Sequence, residues 1–89
     1  MKESLIQKQI LDYLKSNDIF HFKIIAANKN GIPDIFCLYE GQAIFLEVKT
    51  ETGKTSKLQD FQMSKINENG GKSFIIKQLK DLELIFNKG

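Results

Sequence analysis

The chain has 89 residues, which sets an expectation of one domain over 1–89, and its 42% hydrophobic and 27% charged content is that of an ordinary globular protein. A formal net charge of +2 excludes the strongly basic class, and all thirteen basic residues are Lys; phosphate contacts would therefore come from ammonium groups and backbone amides, not guanidinium forks. Cys37 is the only cysteine, which excludes an intramolecular disulfide and a cysteine-built zinc centre.

In chain order, residues 3–16 read as a helix. Ile6, Ile10 and Leu14 recur at spacing four and Leu11 widens the stripe. Asn17-Asp18 ends it. Residues 20–27 are rich in Phe and Ile and read as a strand. Asn28-Lys29-Asn30-Gly31 is a turn cluster, and Pro33 restricts Ile32. Residues 34–39 and 42–49 are two apolar runs around Glu40-Gly41 and read as a β-hairpin. Residues 50–55 form a polar loop. Ser56 is a good N-cap for a helix running to about Asn69, which Gly70-Gly71 stops. Residues 73–76 form a fourth strand. Residues 79–86 form a short helix with Leu79, Leu82 and Phe86 on one side. The order is α-β-β-β-α-β-α, an α/β fold. The stretch after Met1-Lys2-Glu3-Ser4 is mixed in polarity, so neither a signal peptide nor a membrane span is expected, and a reducing cytoplasm is the expected setting. A chain so short buries only about 60–65% of its unfolded surface. A partner subunit would help, and a homodimer is the simplest form.

Strand alternation gives the first chemical clue. In the run 43–49, Ala43, Phe45, Glu47 and Lys49 share one face, and Ile44, Leu46 and Val48 share the other. A carboxylate and an ammonium thus point the same way at the end of an apolar strand, where burying a charge costs free energy unless it is paired or binds a metal. The hairpin gives the second clue. If Glu40-Gly41 is a two-residue loop, Tyr39 faces Gln42 and Asp34 faces Glu47 directly, which places their Cβ atoms roughly 4.5–5.5 Å apart. A longer loop or a bulge would shift this register by a residue or two. Two carboxylates so close repel unless one is protonated or a cation lies between them, and a divalent, oxygen-loving metal is the economical answer. Lys49 then suits metal-assisted phosphodiester hydrolysis. An isolated E-x-K on a strand is more often a solvated surface cluster; the combination with Pro33-Asp34 is what gives it weight.

Gly31-Ile32-Pro33-Asp34, then Glu47-Val48-Lys49, then Gly53, Ser56 and Gln59, then Gly70-Gly71, resembles the VRR-NUC group of the PD-(D/E)XK nuclease superfamily. The resemblance runs from about Gly31 to Ile76. It implies a restriction-endonuclease-like α-β-β-β-α-β core, with a mixed four-stranded sheet flanked by helices and a short C-terminal helix after it. It implies that Asp34, Glu47 and the backbone carbonyl of Val48 coordinate Mg²⁺ or Mn²⁺. Lys49 would orient or activate the attacking water, and Gln59 would sit near the site from the following helix. Gln62, one turn on, is a rival for that place.

Glu3 falls within the angular span of Ile6, Ile10 and Leu14, where an acid should be paired or functional. Members of the group carry an acid on the first helix near the metal, so Glu3 is a further candidate ligand; the plain alternative is an acid favoured by the dipole of a first helical turn. Lys29, Lys54 and Lys57 flank the motifs and are the candidates for DNA phosphate contacts. His21 is expected to pack or face solvent. Phe20, Phe22 and Phe74 are expected in the core, not stacking on bases, and Cys37 is expected to be inert.

The implied function is a structure-specific DNA endonuclease that leaves 5′-phosphate and 3′-hydroxyl ends, acting on a branched or junction (Holliday-type) substrate as a homodimer. The size also suits a viral or mobile-element source. Two other readings stand beside it. A non-catalytic DNA-binding or assembly module would have a damaged acid set, and Asp34, Glu47 and Lys49 are all present. A restriction-type enzyme would need recognition elements for which little chain is left.

Overall fold

A computed structural model describes residues 1–86. The elements in order are α1 (Glu3–Ser16), β1 (Phe20–Lys23), β2 (Ile35–Tyr39), β3 (Gln42–Val48), α2 (Lys57–Glu68), β4 (Lys72–Ile76) and α3 (Lys80–Ile85). This is the expected α-β-β-β-α-β-α order. The four strands form one mixed sheet in the order β1-β2-β3-β4, antiparallel through β3, with β4 parallel to β3. A parallel neighbour needs a crossover connection, and α2 supplies it.

Helix α1 forms because its apolar stripe has a sheet to bury against. Ile6, Ile10 and Leu14 are buried together with Ile35, Cys37, Ile44, Leu46, Val48 and Ile76, and Leu82 and Phe86 close the same core. Burying a side chain of this size contributes about 1.5–3 kcal/mol. The helix ends at Asn17, whose side-chain amide donates to the Tyr13 carbonyl, and Asp18 turns the chain with φ 54°.

The β2–β3 hairpin closes through Glu40 and Gly41, both at positive φ (50° and 79°). That is the two-residue turn whose twist matches its strands. Tyr39 pairs with Gln42 and Ile35 with Leu46, as the short loop requires.

Helix α2 starts at a capping box. The Ser56 hydroxyl accepts from the Gln59 N–H, and the Gln59 side chain accepts from the Ser56 N–H. It ends with Gly70 at φ 95°, the Gly71 N–H donating to Ile66 and the Gly70 N–H to Asn67. This 6→1 and 5→2 pair satisfies carbonyls the helix would otherwise leave open. A Cβ on Gly71 would meet the Ile66 side chain at 2.8 Å, so the close return into β4 needs glycine.

Two expectations are corrected. The strand expected over 20–27 stops at Lys23; one more bond follows, from the Ile24 N–H to the Asp34 carbonyl, and the partner strand runs out at Pro33, which has no N–H to offer. Phe20 and Phe22 are not core residues. They are 63% and 50% exposed, because alternation in the edge strand β1 turns them to the face opposite α1. Phe74 is partly buried against the core, as expected. No helix among the described residues is long and apolar enough to cross a membrane.

Candidate active site

The face of β3 opposite α1 carries Phe45, Glu47 and then Lys49. Glu47 is 2% exposed, in line with its position between β2 and β4, where its sheet neighbour is Ile75. The Lys49 side chain is also largely covered, and its ammonium lies 3.6 Å from Glu47 Oε2. The Lys49 N–H donates to the Ile76 carbonyl, which holds the strand end against β4.

Asp34 reaches the site by a different route from the direct facing expected of the hairpin. The Asp34 N–H donates to the Leu46 carbonyl, although Leu46 is already the partner of Ile35. Two residues thus stand against one, a bulge at the mouth of the hairpin, and bulges re-aim side chains. The Asp34 carboxylate turns along the strand and accepts from the Val48 N–H at 2.8 Å. Its charge still bears on Glu47. The two acids are therefore neighbours without being a directly opposed pair. The Val48 side chain is fully buried on the α1 face, so only its peptide is available to the site.

Gln59 and Gln62 take separate roles. Gln59 Nε2 donates to Glu47 Oε2 at 3.3 Å, while Gln59 Oε1 accepts from Ser56. One side chain thus caps α2 and steadies the acid. Gln62 instead donates to the Asn30 carbonyl and pins the turn before Asp34. Gly31 makes that turn possible: it has φ 84°, and a Cβ there would meet the Leu58 side chain and carbonyl at 2.9 Å. The capping box was readable as the spacing Ser56-x-x-Gln59; the backbone route of Asp34 and the contact of Gly31 with α2 had no sequence signal beyond Gly-x-Pro.

Glu47 Oε1 is buried with no hydrogen-bond partner among the described residues. Its carboxyl is pushed up to about 7, first by burial and then by the charge of Asp34, with Lys49 opposing. A buried carboxylate oxygen with an acid beside it and nothing donating to it is a place for a proton or a cation. Two neighbouring carboxylates are hard oxygen donors of the kind that suit a divalent cation such as Mg²⁺. Glu3 does not join them. It lies exposed in the first turn of α1, before the buried stripe begins at Ile6, and no cluster of three metal-ligating side chains forms among the described residues.

A groove of about 370 Å³ opens beside Asp34, lined by the loop from Ile24 to Ile32 and including Lys29. Lys54 and Lys57 are exposed at the approach to α2, and none of these three lysines forms an ion pair among the described residues. A larger groove, about 810 Å³ between β4 and α3, contains neither acid. His21 is half-buried, with Nδ1 2.7 Å from the Ile19 carbonyl. Cys37 is buried and its thiol is pushed up to about 12 by that burial, so it is inert packing.

A solved structure described as a VRR_NUC domain superposes on this chain with a TM-score of 0.82 at 20% sequence identity, covering 97% of this chain and 95% of that one. The chain therefore has the VRR-NUC fold, with the mixed four-stranded sheet and flanking helices that the motifs implied. No protein-family profile matches the chain, and no curated protein does.

Proposed function

We propose that this chain is a metal-dependent DNA endonuclease that selects its substrate by structure, at branched or junction DNA. The observation that carries the reading is the unpartnered Glu47 Oε1, buried beside Asp34 and Lys49 at the end of β3. The VRR-NUC fold and the name of the similar structure agree with a nuclease.

Asp34 and Glu47 would hold Mg²⁺ or Mn²⁺, with the Val48 carbonyl as a further ligand. When bound, the ion supplies positive charge to a phosphoryl oxygen and makes a water molecule more acidic. The residues of the chain do the rest. Lys49 places an ammonium where charge develops on the scissile phosphate. Gln59 fixes the Glu47 carboxylate. Lys29, Lys54 and Lys57 meet neighbouring phosphates. Two cuts across a junction need two sites and one chain has one, so the working form is a homodimer.

The test is cleavage of branched and linear DNA with Mg²⁺ or Mn²⁺ by wild type, Glu47→Ala and Lys49→Ala. Loss of cleavage in both variants is expected. Activity surviving in both would sink the assignment of the site, and a wild type that neither binds metal nor cleaves any DNA would leave a non-catalytic DNA-binding module. Sedimentation with and without DNA checks the dimer.

A further inference from the structure

The active-site face of the sheet is only half covered. Helix α2 packs over its β3–β4 side, where the Ser73 hydroxyl reaches the Met63 carbonyl and Gly71 abuts Ile66. Among the described residues, nothing covers the β1–β2 side. Phe20, Phe22 and Leu38 lie there at 63%, 50% and 45% exposure. Phe22, Phe36 and Phe45 are cross-strand neighbours and form a continuous aromatic row, with ring centroids 5.0 and 5.2 Å apart, and Phe20 stands edge-on to Phe22 at 6.2 Å. Phe45 precedes Glu47 by two residues on the same face, so the row lies about 7 Å from the acids along the strand.

Two phenylalanines in a four-residue edge strand leave apolar surface in water that the fold does not use. Three features of the structure say what covers it. The row is continuous with the candidate site. The β1 to β3 residues on this face before Glu47 carry no charge, whereas Lys29 and Lys49 stand at the end nearest the acids. The exposed part of Phe20, Phe22 and Leu38 amounts to about 300 Å², well short of the ~800 Å² per partner of a standard protein interface. Flat apolar rings beside cations that can meet phosphates are what unpaired bases stack on, and such stacking tolerates any sequence.

We infer that Phe20 and Phe22 form a stacking platform for unpaired bases of the DNA strand that leads into the Asp34–Glu47 site. The inference rests on the nuclease reading for the strand's destination, and it names the substrate class as DNA with a single-stranded segment next to the cut, such as a flap, fork or opened junction.

The experiment measures binding without divalent metal, by anisotropy of a labelled short single-stranded oligonucleotide and of a blunt duplex. Wild type is compared with Phe20→Leu/Phe22→Leu, which keeps apolar bulk without rings, and with Phe22→Tyr, which keeps the ring. The double variant should bind the single strand about tenfold more weakly or worse, with duplex affinity held within about twofold, and Phe22→Tyr should retain binding. A 2-aminopurine base in the oligonucleotide should be quenched by wild type and released by the double variant. Equal single-strand binding by wild type and the double variant overturns the inference. So does a wild-type dimer that the double variant turns into a monomer in sedimentation, which would give the patch to a second copy. A wild type that stacks bases but cuts nothing with Mg²⁺ or Mn²⁺ overturns the nuclease reading and leaves the platform standing.

Discussion

If Glu47 carries a proton near neutrality, a divalent ion must expel it, and metal affinity must fall in acid. Burial and Asp34 together hold the Glu47 carboxyl at about 7, raised from 4.5. At about pH 8 roughly nine-tenths of such a group is ionised, and at about pH 6 roughly one-tenth is. The apparent dissociation constant for Mg²⁺ or Mn²⁺ should therefore weaken about tenfold between these values, with about 0.9 proton released per ion at the lower pH and about 0.1 at the higher. Titration calorimetry in buffers of different ionisation heat reads both quantities at once. Glu47→Gln should abolish the pH dependence together with most of the affinity. An affinity flat from about pH 6 to pH 8, with no proton released at about pH 6, would refute the reasoning.

The same group predicts the stability of the metal-free protein. A folded-state carboxyl raised above its ordinary value contributes stability that is complete below about 4.5 and lost as pH rises through about 7. The loss is at most about 3 kcal/mol, and denaturant melts across that window, with saturating Mg²⁺ as the reversal, check it. Ser56→Ala removes the hydroxyl that caps α2; it should cost about 1 kcal/mol, or about 4–8 °C in Tm. Gly31→Ala puts a Cβ 2.9 Å from Leu58 at φ 84°; it should cost about 2 kcal/mol or more in a chemical melt and weaken metal binding by displacing α2. Glu40→Asn relieves a non-glycine residue at φ 50° in the hairpin turn; it should raise stability by about 0.5–1 kcal/mol, and an unchanged midpoint would mean the turn is unstrained.

The sequence made the scaffold legible where pattern is local. Spacing four in Ile6, Ile10 and Leu14 placed α1, and alternation around Glu40-Gly41 fixed the β2–β3 register as far as Ile35 and Leu46. It placed Glu47 and Lys49 on one face for the same reason. It failed where backbone detail decides. Asp34 departs from the ladder through one extra amide bond to Leu46, and no periodicity announces a bulge. The choice between Gln59 and Gln62 depends on which flank of α2 meets β3 and which meets the Asn30 turn, a tertiary fact. Glu3 lay within the angle of the stripe, but angle says nothing about how far along the helix burial begins. Hydrophobicity alone points Phe20 and Phe22 to the core, whereas an edge strand with one uncovered side exposes them.

The hairpin also bears on the order in which the protein assembles. Asp34, Glu47 and Lys49 all lie in or directly beside one turn-linked pair of strands, with Asp34 fourteen positions before Val48, whose N–H donates to its carboxylate. Such local pairings close in about 1–10 µs, whereas Gln59 and the cover over Glu47 wait for α2 and the parallel docking of β4, contacts of longer sequence separation that form more slowly. The acid pair would then exist first as a water-exposed clasp and become a dry one only at the last packing step. An ion present from the start would act on that sequence of events as a template, speeding the closure of α2 over the hairpin; stopped-flow refolding with and without Mg²⁺ would show it as a faster folding limb with little change in the unfolding one.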